Sequence, residues 1–261
     1  MIAQFSLRLL CGISLTWLLL PRSQITTGFF RIESLLALAL GALAGITLGT
    51  SIFGTAESTP LLPLAALRAG AFTAAGIAYF SSILWTLGRR PAGTVCLFAV
   101  AILSTGTLLA GSLSRETLGA SLSLVTAFSE LATSLTIGGA TVGMLLGHWY
   151  LTSPTMSIAP LSTANVCFAS AAGLRLVIST VVLTMGGASL WNGLTGTPLM
   201  WLWLRWLAGI VAPLVLALMV WRILRYRNTQ AATGVLFVGV IVTFIGELSA
   251  TLVSRELHLP L

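Results

Sequence analysis

Residues 201–221 read WLWLRWLAGIVAPLVLALMVW, one charge in an otherwise apolar run with tryptophan at both ends. As an α-helix this stretch rises about 30 Å, the thickness of a bilayer's hydrocarbon core. Amphipathic indole rings prefer the headgroup level, so Trp201, Trp203 and Trp221 mark the two faces of a membrane. A helix apolar on every side needs lipid or protein all round it.

Working outward from this segment, the same ruler finds seven more apolar runs. The eight lie near 2–21, 32–53, 66–88, 92–113, 119–148, 161–189, 197–221 and 230–253. Between them fall turn and charge signals: Pro21-Arg22, Thr59-Pro60 through Pro63, Arg89-Arg90-Pro91, Ser114-Arg115-Glu116, Pro154 through Pro160, and Arg222 to Asn228. Trp149 and Tyr150 close the fifth run and Trp191 closes the sixth. The expected fold class is all-α: a polytopic transmembrane helix bundle of about eight spans, one integral membrane domain over 1–261. Arg8 lies inside the first run, where its long side chain is expected to snorkel to the headgroups.

Composition agrees. The chain is 57% hydrophobic and 7% charged, whereas a soluble domain carries about 25% charged residues. The net charge of +7 would suggest nucleic acid in a soluble protein. Here every basic residue is Arg and most flank apolar runs, so the expected partner is the lipid bilayer and not nucleic acid. Arg22, Arg31, Arg89, Arg90, Arg222, Arg225 and Arg227 fall on one side; Arg8, Arg68, Arg115 and Arg255 fall on the other, beside Glu57, Glu116 and Glu256. The richer side is expected to be cytoplasmic, which puts both termini outside, in a bacterial inner membrane. The apolar run after Arg8 lacks a small-x-small cleavage site and is expected to be retained as a span. Cys11, Cys96 and Cys167 have no metal or redox spacing and read as small hydrophobes.

Four charges fall well inside spans: Glu130, Arg175, Arg205 and Glu247. Each costs at least about 2.5–3.5 kcal/mol near the bilayer centre, so such residues turn inward and find partners. Counted at 1.5 Å per residue, Glu130, Arg205 and Glu247 lie about 15, 12 and 9 Å below the outer edge, and Arg175 lies near the middle. Thr243, Glu247, Thr251 and Ser254 share one helix face; Ser123, Thr126, Glu130, Ser134 and Thr141 make a similar stripe. Polar stripes in lipid must face another helix or a wet cavity. These two are expected to face each other, either as a structural ion-pair cluster or as a site for protons, a polar ligand or a quinone headgroup.

Gly139, Gly143 and Gly147 recur every fourth residue and end at His148. Small residues at this spacing let another backbone approach; the alternative is a groove for a flat ring or a lipid tail. Glu130 and His148 point the same way but stand about 27 Å apart along the axis. The other histidine, His258, falls on the opposite side, so an internal bis-histidine haem is not expected. Gly28-Phe29-Phe30-Arg31-Ile32-Glu33 reads as an interfacial anchor at the start of the second span. The uncharged loop Leu151–Pro160 fits docking on a partner or folding back on the bundle.

No metalloprotease, P-loop or dinucleotide fingerprint is present, and no metal site is expected. The two halves show no defensible alignment and no matching pair of broken short spans, which weighs against a transporter. The expectation is therefore a membrane subunit of an electron-transfer complex, holding quinone between helices and working with redox partner proteins. The alternatives are a proton-coupled small-solute or ion transporter or channel, and an assembly or scaffold protein.

Overall fold

The structure, a computed structural model, describes residues 1–49, 60–113, 120–153, 156–185 and 196–257. Eight helices among them are long and apolar enough to cross a membrane. They are α1 (Ile2–Leu19), α2 (Thr27–Thr47), α3 (Leu64–Thr86), α4 (Arg90–Ser112), α5 (Ala120–Thr152) and α6 (Ala159–Met185). Next comes α7, made of α-helix Thr197–Trp206, a π turn Leu207–Val211 and α-helix Ala212–Arg225; α8 is Thr229–Leu257. The chain is a polytopic, all-helical membrane protein. Ile46, Phe80, Val95, Ile102, Val177 and Val215 all point outward, an apolar exterior that lipid and not water can solvate.

Helix limits follow local chemistry. Pro63 precedes the first residue of α3 and Pro91 sits in the first turn of α4, where the missing N–H is not needed. Gly88 ends α3 with φ +70, a conformation that a side chain would strain. The second span starts about a turn before its expected limit, because α2 begins at Thr27. Gly28 to Glu33 is therefore helical, and the interfacial-anchor reading of this segment is corrected. Phe29, Phe30 and Glu33 are buried and only Arg31 and Ile32 point out. Phe30 stacks on Trp85 at 4.7 Å between centroids, and Phe29 meets Trp149 edge-on at 6.1 Å. Helical periodicity explains the correction, since residues 29, 30, 33, 34 and 37 form one stripe.

The neighbours of each helix divide the chain into two rings. In the first half α1 packs on α2, α2 on α3, α3 on α4 and α4 on α1; in the second α5 packs on α6, α6 on α7, α7 on α8 and α8 on α5. The halves join chiefly where α1 runs alongside α5. The two run in the same direction, with Arg8 beside Glu130, Gly12 beside Ser134 and Gly138, and Gly28 beside Trp149. The order of neighbours is therefore the same in both halves.

Some contacts recur at matching points of the two halves. In the first half Gly70 of α3 lies against Thr107 of α4; in the second Gly209 of α7 lies against Gly246 of α8. The same sequence offset takes Gly70 to Gly209 and Thr107 to Gly246. It also takes Ala78 to Ala217, Thr94 to Thr233, Leu97-Phe98 to Leu236-Phe237, and Ile102 to Ile241. Thr59-Pro60-Leu61 matches Thr197-Pro198-Leu199 at an offset shorter by one residue. One extra residue between Leu199 and Gly209 fits the π turn at Leu207–Val211, because a π turn takes up a single inserted residue.

The closest approach is between α1 and α5. A Cβ added at Gly12 would stand 1.7 Å from the carbonyl oxygen of Ser134, and one at Gly138 would stand 2.1 Å from the carbonyl carbon of Gly12. These backbones touch with no room for a methyl group.

Candidate functional site

The charges meet at this junction. Arg8, on the α1 face that carries Gly12, reaches across to α5 and α8. Its Nε donates to Glu130 Oε2 at 2.7 Å and its Nη2 to Glu130 Oε1 at 2.5 Å, a two-pronged pair that suits the planar guanidinium. Its Nη1 donates to Glu247 Oε1. Glu247 Oε2 accepts from Arg175 Nη2 of α6 at 3.1 Å, and Gln4 Nε2 approaches Glu130 Oε1 at 3.4 Å. The snorkelling reading of Arg8 is thus corrected: its side chain turns inward, where two carboxylates offer more than the headgroup region does. All four charged side chains are buried, Glu247 at 1% exposure.

Of the residues singled out by sequence, Glu130, Arg175 and Glu247 join this network and Arg205 stands at its edge. Arg205 Nη2 donates to Ser179 Oγ of α6 at 2.9 Å, and no carboxylate touches it among the described residues. It lies within electrostatic range of Arg175, Glu247 and Arg8. Nε and Nη1 of both Arg175 and Arg205 are buried without a hydrogen-bond partner. Among the described side chains the network therefore sets three guanidiniums against two carboxylates and leaves one positive charge uncompensated. Thr243 and Ser134, from the two polar stripes, are fully buried beside it; Ser254 and His258 lie outside the described side chains.

The glycine row is filled by neighbouring helices. Gly139 faces Phe168 of α6, Gly143 faces Leu236 of α8 and Gly147 faces Thr233 of α8. His148 is exposed at the far end of α5. Around it Trp149 Nε1 donates to Thr26 Oγ1 at 2.7 Å, and Ser157 Oγ donates to Gln24 Oε1 at 2.5 Å. The described part of the Leu151–Pro160 loop folds back on the bundle, with Met156 and Ile158 packed on the core; Pro154 and Thr155 lie outside the described residues.

Two buried groups, Arg8 and Glu33, read as interfacial from the sequence alone. Arg8 was placed at the lipid interface because it stands near the chain's start. Its spacing to Gly12 is the signal that could have found it, since it puts the charge on the face that another backbone must approach. Glu33 is 1% exposed at the opposite end of α1. Trp17 Nε1 donates to its Oε2 at 3.1 Å and its Oε1 has no partner. Between the two ends, Ser14 pairs with Ser104 at 3.1 Å and Cys11 with Thr105 at 3.3 Å along the α1–α4 seam.

Among the described residues no group of His, Cys, Asp and Glu is arranged to hold a metal ion. An apolar groove of about 450 Å³ opens between α6 and α7, lined by Asn165, Ala169, Ser170, Leu218 and Trp221 among others. No protein-family model matches the chain, and no curated protein or solved structure matches it either.

Proposed function

We propose that this protein is a transporter of a small solute or ion, coupled to protons, with Glu130 and Glu247 as the coupling groups. The observation that carries this reading is the place of the charges. Among the described residues, Arg8 is the charged side chain that the first half contributes to the network; Glu130, Glu247 and Arg175 come from the second. Transporters built from parallel repeats rock one half against the other around a site at their interface. With the halves closed, Arg8 pairs with both carboxylates. When they separate, Glu130 loses that counter-charge while Glu247 keeps Arg175, so Glu130 is the carboxylate left for the coupling ion. Arg8 then works as the latch between the two states, and proton uptake is tied to opening.

The Arg-rich ends of α2, α4 and α7 are assigned to the cytoplasmic face of a bacterial inner membrane, with both termini outside. The test is reconstitution into liposomes with a trapped pH indicator. Wild-type protein is expected to dissipate an imposed pH gradient when its solute is supplied, and Glu130→Gln and Glu247→Gln are expected to abolish the effect. Unchanged proton flux in both variants would remove the carboxylates from the mechanism.

A second reading is favoured by the groove between α6 and α7. It opens on the outer surface of the bundle, where a lipid-soluble carrier such as quinone travels. In that reading the protein is the membrane subunit of an electron-transfer complex and its redox centres sit in partner chains. Purification from native membranes separates the two. Stoichiometric redox proteins and bound quinone support the second reading; a protein that comes out alone and quinone-free supports transport.

A further inference from the structure

Arg175 and Arg205 carry between them four buried N–H-bearing nitrogens without an acceptor, two on each guanidinium. Both side chains are at least nine-tenths buried, at 2% and 1% exposure. Buried polar groups are nearly always paired, and an unpaired charged donor costs more than a neutral one. A third guanidinium facing two carboxylates also leaves a net positive charge in the interior, where such a charge is expensive unless something negative balances it. Both costs have the same remedy, an acceptor that carries negative charge.

We propose that Arg175 and Arg205 form a binding site for a small oxyanion, a carboxylate or phosphate-type group held between the two guanidiniums. Ser179 accepts from Arg205 Nη2 at 2.9 Å and fixes that side chain from behind. Glu247 accepts from Arg175 Nη2 at 3.1 Å and fixes the other. In each guanidinium one terminal nitrogen is thus held by the protein, while Nε and Nη1 remain to bind. Nε–H and Nη1–H of one guanidinium point apart, so an oxyanion shared by the two groups accepts a single hydrogen bond from each. The π turn Leu207–Val211, which begins two residues after Arg205, is an insertion of the kind found at functional sites. It has no counterpart in the first half, where Arg68 of α3 donates instead to the carbonyl of Leu48. The second half alone therefore holds the site, and the first closes on it through Arg8.

As an assignment of substrate class this rests on the transport reading; as a binding site it stands on the geometry alone. The oxyanion has two sources, a soluble anion or the phosphate of a lipid headgroup, and the test separates them. Purified protein in a neutral detergent is titrated with sodium acetate and with inorganic phosphate, at constant ionic strength, while tryptophan fluorescence is followed. Trp206 is adjacent to Arg205 in the chain and serves as reporter. Native mass spectrometry of the same sample records any phospholipid that stays bound.

A soluble site gives saturable binding of one probe, weakened at least tenfold in Arg205→Gln and in Arg175→Gln and unchanged in Arg222→Gln. A lipid site gives no saturation but a retained phospholipid that both variants lose. Arg205→Gln removes the uncompensated charge, so in anion-free buffer it is expected to stay monodisperse and to melt no lower than wild type. The proposal is overturned by a wild type that binds neither probe and keeps no lipid, or by binding that both variants leave intact. It is overturned too if Arg205→Gln is the less stable protein without anion, since Arg205 is then structural. Binding without flux of that anion would sink the transport reading alone; flux of another solute without anion binding would sink this one alone.

Discussion

Glu247 accepts from two guanidiniums at once, so losing it differs in kind from losing Glu130. In Glu130→Gln the Arg8 side chain still faces Glu247. In Glu247→Gln, Arg175 loses its carboxylate partner and three guanidiniums share one anion. Breaking a buried pair from one side costs about 3–5 kcal/mol, and that range is expected for Glu247→Gln. Glu130→Gln is expected to cost about 1.5–3 kcal/mol, the range for hydrogen bonds to charged groups. Thermal unfolding of both variants in one detergent compares them; equal losses would show that charge balance is not what the network sets. Glu33 makes a contrasting case. Glu33→Gln keeps an oxygen for the Trp17 indole and is expected to change stability by less than about 1 kcal/mol. Glu33→Ala leaves that donor buried and unpaired beside a cavity and is expected to cost about 2–4 kcal/mol. A Glu33→Gln variant as damaged as Glu33→Ala would mean that the carboxylate charge itself is structural.

At the scale of the helices, glycine placement decides what packs. Gly12 and Gly138 bring the backbones of α1 and α5 into contact, so Gly12→Ala must push the helices apart or fail to fold. A loss of more than about 4 kcal/mol belongs to the exceptional class of substitutions, and Gly12→Ala is expected there. Gly106 and Gly173 are helical glycines with nothing within 4 Å of an added Cβ. Gly106→Ala and Gly173→Ala are expected to raise stability by up to about 1 kcal/mol through helix propensity. Melting temperatures of the three variants test the contrast, and a mild Gly12→Ala would mean that the halves are not so closely joined. These helices were legible in the sequence because membrane crossing imposes a length and an apolarity that few other structures share. Their faces were harder to read. When every side of a helix is apolar, hydrophobic periodicity no longer says which side is inside, and only polar and small residues carry that information. The stripe around Glu130 could be recognised for that reason. The inward turn of Phe29, Phe30 and Glu33 could not, because aromatic rings beside an Arg describe a lipid interface equally well.

At the scale of the whole molecule, the division into two four-helix rings escaped the sequence because it is defined by contacts between helices and not by residues. Gly70 against Thr107 and Gly209 against Gly246 hold equivalent positions with different side chains, while the inserted residue in α7 shifts the register between the Thr-Pro-Leu match and the glycine match. The site was hidden by the same cause. Arg8 belongs to one half and its carboxylates to the other, and no local window contains both. That arrangement predicts how the protein comes apart. Each half closes a ring of its own neighbours, and α1 against α5 is the principal seam between them. Fragments 1–113 and 120–261, made together from separate genes, are therefore expected to fold as four-helix units and to associate one to one in the membrane. Affinity purification through a tag on the first fragment is expected to recover the second in equal amount. Gly12→Leu in the first fragment blocks the backbone approach and is expected to abolish recovery; Arg8→Gln removes the ion pairs that cross the seam and is expected to reduce it. Gly76→Leu, at a position on α3 where an added Cβ meets nothing within 4 Å, is the control and is expected to have no effect. Fragments that accumulate separately but never associate would show that the seam does not hold the halves together by itself. If Arg8→Gln fragments associate as well as the wild type, the glycine contact is the joint. The ion pairs then do not hold the halves together, and Arg8 is not the latch.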